Sequence, residues 1–324
     1  GYIDSISIPY QNKLHEHEDI LLGYRSFEDY LSDQSYLNCI VGRVCGRIAN
    51  ARFDLNNKTY QLFSNNGKHH LHGGKFGFNK KVWSINSLDK KSDKLSCTLY
   101  YKSIHLEEGY PGTAECITKY ILNNKNEFII EFCATTDSDT IINLTNHNYW
   151  NFHGHNSYYQ NIKDHIVKIN ARYYCESDNN LIPTGKLLNV ENTKLNFFDY
   201  TKINQDILRD NGIDTCYCVS DNAFLDLINL DKRKLREVAT VFSNLTKMGI
   251  VMYSNKPGLQ FYTGNMMHEH YNGKYEKKYG YQYGLCLEPQ FFPDSMNCNN
   301  FVTPILQKGK TYNSTIIIKL KNNF

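Results

Sequence analysis

Apolar and polar side chains alternate over short runs through the middle and C-terminal parts of the chain. The stretches LSCTLYY (95–101) and FIIEF (128–132) place an apolar side chain at every second position. Successive side chains of a strand point to opposite faces, so this period of two predicts strands with one buried face. The same pattern occurs in ECITKYIL, TIINLTNHNYW, DHIVKINARYY, KLREVATVFSN, GIVMYSN, LQFYTGN, YGLCLEPQ and STIIIKL. Short strands separated by polar turns predict an all-β sandwich or barrel.

Helical spacing of apolar residues is confined to two short segments, SFEDYLSD and NQDILRDNG. The chain therefore lacks the alternation of strands and helices that a parallel α/β sheet requires. No linker rich in Pro, Gly or Ser and no repeat of fixed period divides the 324 residues. We expect residues 1–324 to form one all-β domain with few short helices.

Charge and hydropathy narrow the possible partners. The chain has 36 Lys and Arg against 33 Asp and Glu, dispersed rather than gathered into runs of one sign. This balance argues against a nucleic-acid or membrane-surface partner and favours an uncharged ligand. No apolar run reaches the roughly 18 residues that cross a bilayer, and the N-terminus lacks the pattern of a secretory signal. We expect a cytoplasmic protein.

The ten cysteines lie mostly inside apolar, strand-like segments and form no C-x-x-C pair. Cysteines in such positions are typically small core residues. We therefore expect reduced, buried thiols rather than disulfides or metal ligands.

Polar side chains share one face of the predicted strand NLTNHNYW. Asn143, Thr145, His147 and Tyr149 occupy alternate positions there. Four hydrogen-bonding groups in a row are unusual for a strand that covers a core, and they fit the floor of a polar pocket. A solvent-exposed polar face is the equally weighted alternative.

Further candidates lie in three other segments. In GLCLEPQ, the carboxylate of Glu288 shares a face with Cys286 and Gln290, and apolar neighbours would raise its pKa. In PGLQFYTGN, Gln260 supplies an amide suited to hydroxyl groups. In NGIDTCY, Asp214 is either a binding carboxylate or a turn residue. A salt-bridged or exposed strand residue is the alternative for Glu288.

Histidine pairs raise the competing possibility of a metal site. The pairs and clusters are His15/His17, His69/His70/His72 in HHLHGG, His153/His155 and His268/His270. A cupin-type site expects an H-x-H pair followed closely by Glu, which neither HGHNSYYQ nor HHLHGGKFGF supplies. The H-E-H at 268–270 lies in a polar segment that reads as loop. A metal site is the weaker interpretation.

Ten collinear motifs resemble the aldose 1-epimerase, or galactose mutarotase, family. They are LLGYRSFEDYL, VGRVCGRIANARF, LHGGKFGFNKKVW, EEGYPG, NLTNHNYWNF, LIPTG, NGIDTCY, PGLQFYTGN, GLCLEPQFFPDSMN and GKTY. They span nearly the whole chain in the family's order. The resemblance implies a large antiparallel β-sandwich. It also implies that one or two family strands, roughly twenty residues, are missing ahead of Gly1.

The resemblance also implies roles for individual residues. Glu288 is expected to be the general base, His147 the general acid and His72 a second histidine at the reacting end of a sugar. Contacts with sugar hydroxyls are expected from Arg47, Asp214, Gln260, Asn148, Tyr149 and Gly46. No cofactor or metal is implied.

Five positions depart from the family pattern. Gly46 and His69 each stand where Asn is usual, Thr113 replaces Asp, Thr215 replaces His and Trp150 replaces Phe. The expected acid and base are intact, so these changes bear on sugar preference and affinity.

The function implied is interconversion of the α and β anomers of free aldohexoses such as D-galactose and D-glucose. Ring opening and closure need one acid and one base, so His147 must start protonated and Glu288 ionised. Their mutual attraction is expected to hold these states near neutral pH. The alternatives are a non-catalytic carbohydrate-binding sandwich and a hexose 6-phosphate epimerase. We expect a monomer or a weak dimer.

Overall fold

The computed structural model describes residues 1–11, 13–155, 161–219, 234–267 and 271–324. Within these ranges regular structure is almost entirely β-strand, and paired strands run antiparallel. The predicted all-β fold is therefore confirmed.

Twenty-seven strands make up the described structure. The first nine are β1 Ser7–Tyr10, β2 Lys13–Asp19, β3 Ile40–Val41, β4 Arg47–Ile48, β5 Arg52–Leu55, β6 Lys58–Gln61, β7 His70–Leu71, β8 Ser84–Lys90 and β9 Lys94–Ser103. The next nine are β10 Ala114–Asn123, β11 Glu127–Thr136, β12 Thr140–Ile141, β13 Thr145–Asn146, β14 Tyr149–Trp150, β15 His165–Ile169, β16 Tyr173–Ser177, β17 Pro183–Asn189 and β18 Thr201–Lys202. The last nine are β19 Asp214–Cys218, β20 Arg236–Ser243, β21 Gly249–Ser254, β22 Gly258–Tyr262, β23 Tyr271–Asn272, β24 Lys278–Tyr279, β25 Leu285–Gln290, β26 Ile305–Leu306 and β27 Tyr312–Lys321.

Two short α-helices lie where helical spacing predicts them. They are α1, Phe27–Ser32, and α2, Gln205–Leu208. The side chains of Ser26 and Asn204 accept hydrogen bonds from the third helical N–H, at 3.2 and 2.9 Å. These N-caps satisfy backbone donors that a helix start leaves without partners. Single 3₁₀ turns occur at Ala49–Ala51, Phe78–Lys80, Glu107–Gly109 and Lys274–Glu276.

Two large sheets form the body of the described structure. One has nine strands in the order β18-β15-β20-β21-β27-β11-β10-β9-β8, and the other has six in the order β14-β25-β22-β19-β16-β17. Ile130 and Ile316 of the first sheet share one buried cluster with Leu259, Leu285 and Leu287 of the second. An apolar layer between two sheet faces is the architecture of a sandwich.

Two predicted strands are wrong in extent. TIINLTNHNYW is not one strand, because β12, β13 and β14 pair with three different partners, β26, β3 and β25. DHIVKINARYY is divided between β15 in the nine-stranded sheet and β16 in the six-stranded sheet. In both cases a period of two continues across a change of direction, so the pattern alone does not mark the break.

All ten cysteines are free thiols, and seven of them are buried. This agrees with the expected reduced core residues. Within the described ranges, no helix combines the length and apolar character needed to cross a bilayer.

Candidate functional site

A cavity of about 280 Å³ opens on the face of the six-stranded sheet that points away from the apolar core. Its size is at the small end for ligand pockets, which favours a small ligand. Strands β25, β22 and β19 form its floor, and loops from the N-terminal half of the chain border it. The residues that line it are Gln34, Ser35, Tyr36, Gly46, Arg47, Leu71, His72, His147, Tyr149, Cys175, Ser177, Leu181, Pro183, Asp214, Cys216, Gln260, Tyr262, Met266, Glu288, Gln290 and Pro293.

The alternation along β25 places Glu288 in this cavity. Leu285 and Leu287 belong to the core between the sheets, whereas Cys286, Glu288 and Gln290 lie on the opposite face. Glu288 is only 2% exposed, and its Oε2 atom has no hydrogen-bond partner in the structure. A buried carboxylate oxygen without a partner is costly, so it is positioned to receive a donor from a ligand.

His147 approaches Glu288 from a segment that is not a regular strand. Its backbone N–H donates to Cys39 O at 3.0 Å, and its carbonyl accepts from Asn38 N at 2.9 Å. These bonds fix the residue between β13 and β14 and leave its side chain 6% exposed. His147 Nε2 lies 3.6 Å from Glu288 Oε1, and the ring stacks on Tyr149 with centroids 5.0 Å apart. The acid and base expected from the sequence therefore face each other.

The three histidines of HHLHGG have three different environments. His69 Nδ1 accepts a hydrogen bond from Asn50 N at 3.2 Å. His70 is fully buried, with Nδ1 2.7 Å from Phe63 O and Nε2 2.6 Å from the hydroxyl of Tyr110. Only His72 lines the cavity. The cluster is therefore one structural core residue, one loop contact and one site residue.

Backbone geometry brings His72 into the cavity. Its N–H donates to Gly46 O at 3.1 Å, and its Nδ1 accepts from Gly46 N at 3.2 Å. His72 has φ 51°, and Gly73 follows with φ 87°. A Cβ atom on Gly73 would lie 1.8 Å from Gly42 O, so only glycine fits this turn. Because Nδ1 accepts a hydrogen bond, neutral His72 carries its proton on Nε2.

A polar network extends from Glu288 across the cavity floor. Gln260 Nε2 donates to Asp214 Oδ1 at 2.6 Å, and Arg47 Nη1 lies 3.8 Å from Asp214 Oδ2. Arg47 Nε also donates to Asn66 Oδ1 at 3.2 Å. A guanidinium, a carboxylate and an amide arranged side by side offer donors and acceptors suited to several hydroxyl groups.

Burial dominates the ionisation of this site. It raises the pKa of Glu288 well above the ordinary value, the charge of Asp214 raises it further, and Arg47 opposes the rise. Burial lowers the pKa of His147 to about 4. Burial also lowers the pKa of His72 strongly, with smaller contributions from His147 and Arg47. The expectation that mutual attraction holds His147 protonated and Glu288 ionised is therefore wrong for the free site, because desolvation of both groups outweighs their attraction across 3.6 Å.

The structure brings together most of the expected site residues. Glu288, His147, His72, Arg47, Asp214, Gln260, Tyr149 and Gly46 all line the cavity. Asn148 does not line it, because its side chain leaves the backbone between those of His147 and Tyr149 and is 2% exposed. The predicted polar face of NLTNHNYW also extends less far than expected, since the Asn143 side chain instead accepts a hydrogen bond from Phe291 N at 3.0 Å.

Two further residues of the cavity, Tyr262 and Tyr36, are not among the ligand contacts expected from the sequence. Tyr262 lies two positions after Gln260 on β22, so the strand period could have identified it. Cys286 does not line the cavity, but its Sγ lies 3.5 Å from His147 Nδ1, and its position two residues before Glu288 on β25 places it on the same face. Tyr36 packs its ring 4.7 Å from His72 but has φ 57° in a loop, and no sequence period marks it.

His153 and His155, also considered as metal ligands, bond to protein groups. His153 contacts Ser243 Oγ at 2.8 Å, and His155 contacts the hydroxyl of Tyr279 at 2.9 Å. His268 and His270 lie outside the described residues, as does the side chain of His15. Among the described residues, no group of three His, Cys, Asp or Glu side chains has the arrangement of a metal site.

Proteins similar to this chain over most of its length are named galactose mutarotase or aldose 1-epimerase. A family model described as aldose 1-epimerase matches residues 6–319. The galactose mutarotase of Bos taurus is 33% identical over 303 residues, which cover 93% of this chain and 83% of that protein. The aldose 1-epimerase of Haemophilus influenzae is 32% identical over 295 residues, which cover 90% of this chain and 81% of that protein.

Solved structures share the fold. An aldose epimerase homologue from C. elegans superposes with a TM-score of 0.86 at 23% identity, covering 100% of this chain and 93% of that chain. A galactose 1-epimerase from Lactobacillus acidophilus gives a TM-score of 0.80 at 24% identity, covering 95% and 86%. The two-sheet sandwich described above is thus the fold of these proteins.

Proposed function

The chain belongs to the aldose 1-epimerase family, and on this premise we propose that it interconverts the α and β anomers of free aldohexoses such as D-galactose and D-glucose. The observation that supports the chemistry best is the pair formed by His147 and Glu288. Their facing atoms lie 3.6 Å apart in a cavity, and the second carboxylate oxygen has no partner.

The reaction moves two protons and needs no group transfer. Glu288 accepts the proton of the C1 hydroxyl while His147 donates a proton to the ring oxygen, and the C1–O5 bond breaks. Rotation about C1–C2 presents the other face of the aldehyde, and closure returns both protons. Positioned acid and base groups of this kind each contribute about 10²–10⁴-fold to a rate.

The ionisation of the free site is compatible with this scheme. The raised pKa of Glu288 and the lowered pKa of His147 mean that a proton shared by the pair resides mainly on the carboxyl group. The reactive form places the same proton on the imidazole, so it differs by a shift between groups 3.6 Å apart. A sugar hydroxyl that donates to Glu288 favours the ionised carboxylate and hence the reactive form.

The remaining residues are assigned to binding. Arg47, Asp214 and Gln260 present alternating donors and acceptors along one wall, where they contact sugar hydroxyls. The ring of Tyr149 and the imidazole of His72 both pack against His147, with centroids 5.0 and 5.4 Å away, and they restrict where the reacting end of the sugar can sit. Gly46 acts on His72 through its two backbone hydrogen bonds.

A hexose phosphate suits this cavity less well than a neutral hexose. Among the described lining residues, Arg47 is the single Lys or Arg, and it is already paired with Asp214. The lowered pKa values of His72 and His147 make both rings neutral near pH 7. A phosphate dianion would therefore be desolvated without enough positive charge to balance it.

A purely binding role does not require the acid–base pair. Hydroxyl recognition needs Arg47, Asp214 and Gln260, whereas a buried glutamate without a partner on one oxygen is a destabilising feature. The presence of this destabilising glutamate opposite a histidine therefore favours a catalytic role over binding alone.

Polarimetry tests the proposal directly. Freshly dissolved α-D-galactose or α-D-glucose should reach its equilibrium rotation faster with the protein than without it, and glucose 6-phosphate should not respond to the same degree. Equal relaxation with and without protein for both free sugars would refute the proposed activity.

A further inference from the structure

Tyr36 has a backbone conformation that bulky residues rarely adopt. Its φ is 57°, in the left-handed region that is unfavourable for side chains larger than those of Gly, Asn and Asp. The carboxylate of Asp33 holds the backbone on both sides of it, because it accepts from Ser35 N at 2.8 Å and from Leu37 N at 3.0 Å. Backbone strain that the surrounding structure maintains in this way is concentrated at functional sites.

The phenol ring of Tyr36 packs against the two histidines of the cavity. Its centroid lies 4.7 Å from that of His72 and 6.1 Å from that of His147, and the second pair of rings is stacked at 29°. The hydroxyl of Tyr149 donates to Ser35 O at 3.0 Å, which fastens this loop to the cavity. Tyr36 therefore has a fixed position relative to the reacting groups.

The hydroxyl of Tyr36 has a donor but no acceptor among the described residues. It accepts from Asn65 Nδ2 at 3.5 Å. Asn65 is itself held by the backbone of Leu71, with Nδ2 2.9 Å from Leu71 O and Oδ1 2.8 Å from Leu71 N. Burial raises the pKa of the Tyr36 hydroxyl to about 12, while the charge of Arg47 opposes the rise. The O–H proton is therefore retained at neutral pH and is available to a ligand.

We propose that the Tyr36 hydroxyl donates a hydrogen bond to one hydroxyl group of the bound aldose and so takes part in sugar recognition. This inference rests on the proposed function, because it takes a free aldohexose as the ligand of the cavity. A sugar hydroxyl can accept from Tyr36 while it donates to a carboxylate such as Asp214. An aldose that lacks this hydroxyl would leave the tyrosine donor unpaired, so the site discriminates against it.

A role confined to packing is the alternative for Tyr36. The contacts with His72 and His147 use only the ring, which phenylalanine would supply equally well. The bond from Asn65 fixes the hydroxyl instead, and packing has no use for that bond. Removal of the hydroxyl alone therefore separates the two roles.

Tyr36→Phe removes the hydroxyl and keeps the ring. Tyr60→Phe is the matched control, because Tyr60 is also a half-buried tyrosine, stacks on Phe53 with centroids 5.5 Å apart and lies outside the cavity. We expect KM for D-galactose in Tyr36→Phe to rise about twofold to tenfold, the range of one neutral hydrogen bond, with kcat little changed. The control should match the parent.

Deoxy sugars identify the partner hydroxyl without depending on turnover. Calorimetry would measure the affinity of the parent and of Tyr36→Phe for D-galactose and for its monodeoxy analogues at C2, C3, C4 and C6. One analogue should bind the parent less tightly, and for that analogue Tyr36→Phe should cause no further loss, because the bond is already absent. The other three should lose affinity on substitution by the same factor as galactose.

Two results would overturn the proposal. The first is a Tyr36→Phe variant with the KM and the sugar affinities of the parent. The second is an equal loss of affinity for galactose and all four analogues, which is the result expected from disturbed packing. If the parent binds the sugars with the expected pattern but does not accelerate their mutarotation, the proposed catalysis is refused and the role of Tyr36 in recognition is retained.

Discussion

Asp214 acts on Glu288 through its charge, and it raises the pKa of that buried carboxyl group while Arg47 lowers it. Asp214 is itself held by Gln260, whose Nε2 donates to it at 2.6 Å. The residues assigned to sugar binding therefore also set the ionisation of the expected base.

Two substitutions in this network should shift the pH profile of kcat/KM in opposite directions on its alkaline side. Asp214→Asn removes a negative charge near Glu288, so the carboxyl group should ionise at lower pH and the alkaline limb of kcat/KM should move down. Arg47→Gln removes a positive charge, so the limb should move up. Both variants should bind sugar less tightly, with KM raised. Limbs that move in the same direction would contradict this electrostatic account.

Glu288→Gln should abolish most of the activity and preserve the fold. The amide keeps the shape of the side chain but cannot accept the C1 hydroxyl proton, so kcat should fall by about 10²–10⁴-fold. Sugar affinity, measured by calorimetry, should change little. Glu115→Gln, at an exposed position on β10, is the control and should retain full activity. Near-normal kcat in Glu288→Gln would remove Glu288 from the mechanism.

The pH profile of kcat/KM should be bell-shaped, with limbs that belong to the coupled pair. Because burial raises the pKa of Glu288 and lowers that of His147 to about 4, the acid limb should lie near the histidine value and the alkaline limb near the glutamate value. Between the limbs the pair holds one proton. The reactive arrangement, with His147 protonated and Glu288 ionised, is a minor fraction of this singly protonated form. The small fraction lowers the rate but leaves the pH profile bell-shaped.

Replacement of each histidine tests this assignment. His147→Asn should lose most of the rate, and its residual activity should rise with pH across the range where the parent activity falls, because only ionisation of Glu288 then matters. His72→Asn should lower the rate but keep both limbs. If the alkaline fall disappears only in the His72 variant, the acid is His72 rather than His147.

His70 should contribute to stability rather than to catalysis. His70→Leu leaves Phe63 O and the Tyr110 hydroxyl without their buried partner, so the free energy of unfolding at pH 7.5 should drop by about 1–3 kcal/mol. Activity per folded molecule should persist. His17→Leu, at an exposed position of β2, is the control.

The same variant has a pH signature whose sign is fixed by the pKa of His70. Burial lowers that pKa to about 4, so the folded state resists protonation of His70 and the unfolded state does not. The stabilisation from neutral His70 is complete above pH 6.5 and is lost as pH falls toward 4. Urea unfolding at pH 7.5 and pH 5 should therefore show a smaller difference between the parent and His70→Leu at pH 5.

The sequence predicts the parts of the site that regular strands carry. A period of two along β25 and β22 assigns Leu287 to the core and Glu288 and Gln260 to the opposite face, and the structure agrees. Asn148 is expected at the cavity from the family resemblance alone, whereas a period of two places it on the face opposite His147 and Tyr149, and Asn148 does not line the cavity. Tyr36 depends on a loop with positive φ, for which the sequence carries no period.

Ionisation was the hardest property to predict. Two opposite charges at short range attract in any medium, and this attraction was the basis of the expected charged pair. The degree of burial decides whether attraction or desolvation prevails, and burial is a property of the whole fold. A sequence motif that names His147 and Glu288 cannot supply it.

The alternation along β25 also limits which insertions and deletions this strand can accept during evolution. Deletion of Cys286 would reverse the facing of the side chains that follow, carrying the carboxyl group of Glu288 into the core and Leu287 onto the cavity face. Packing and chemistry would be lost in a single event. Insertions and deletions among relatives should therefore accumulate in the loops that border the cavity, and new sugar preferences should arise there.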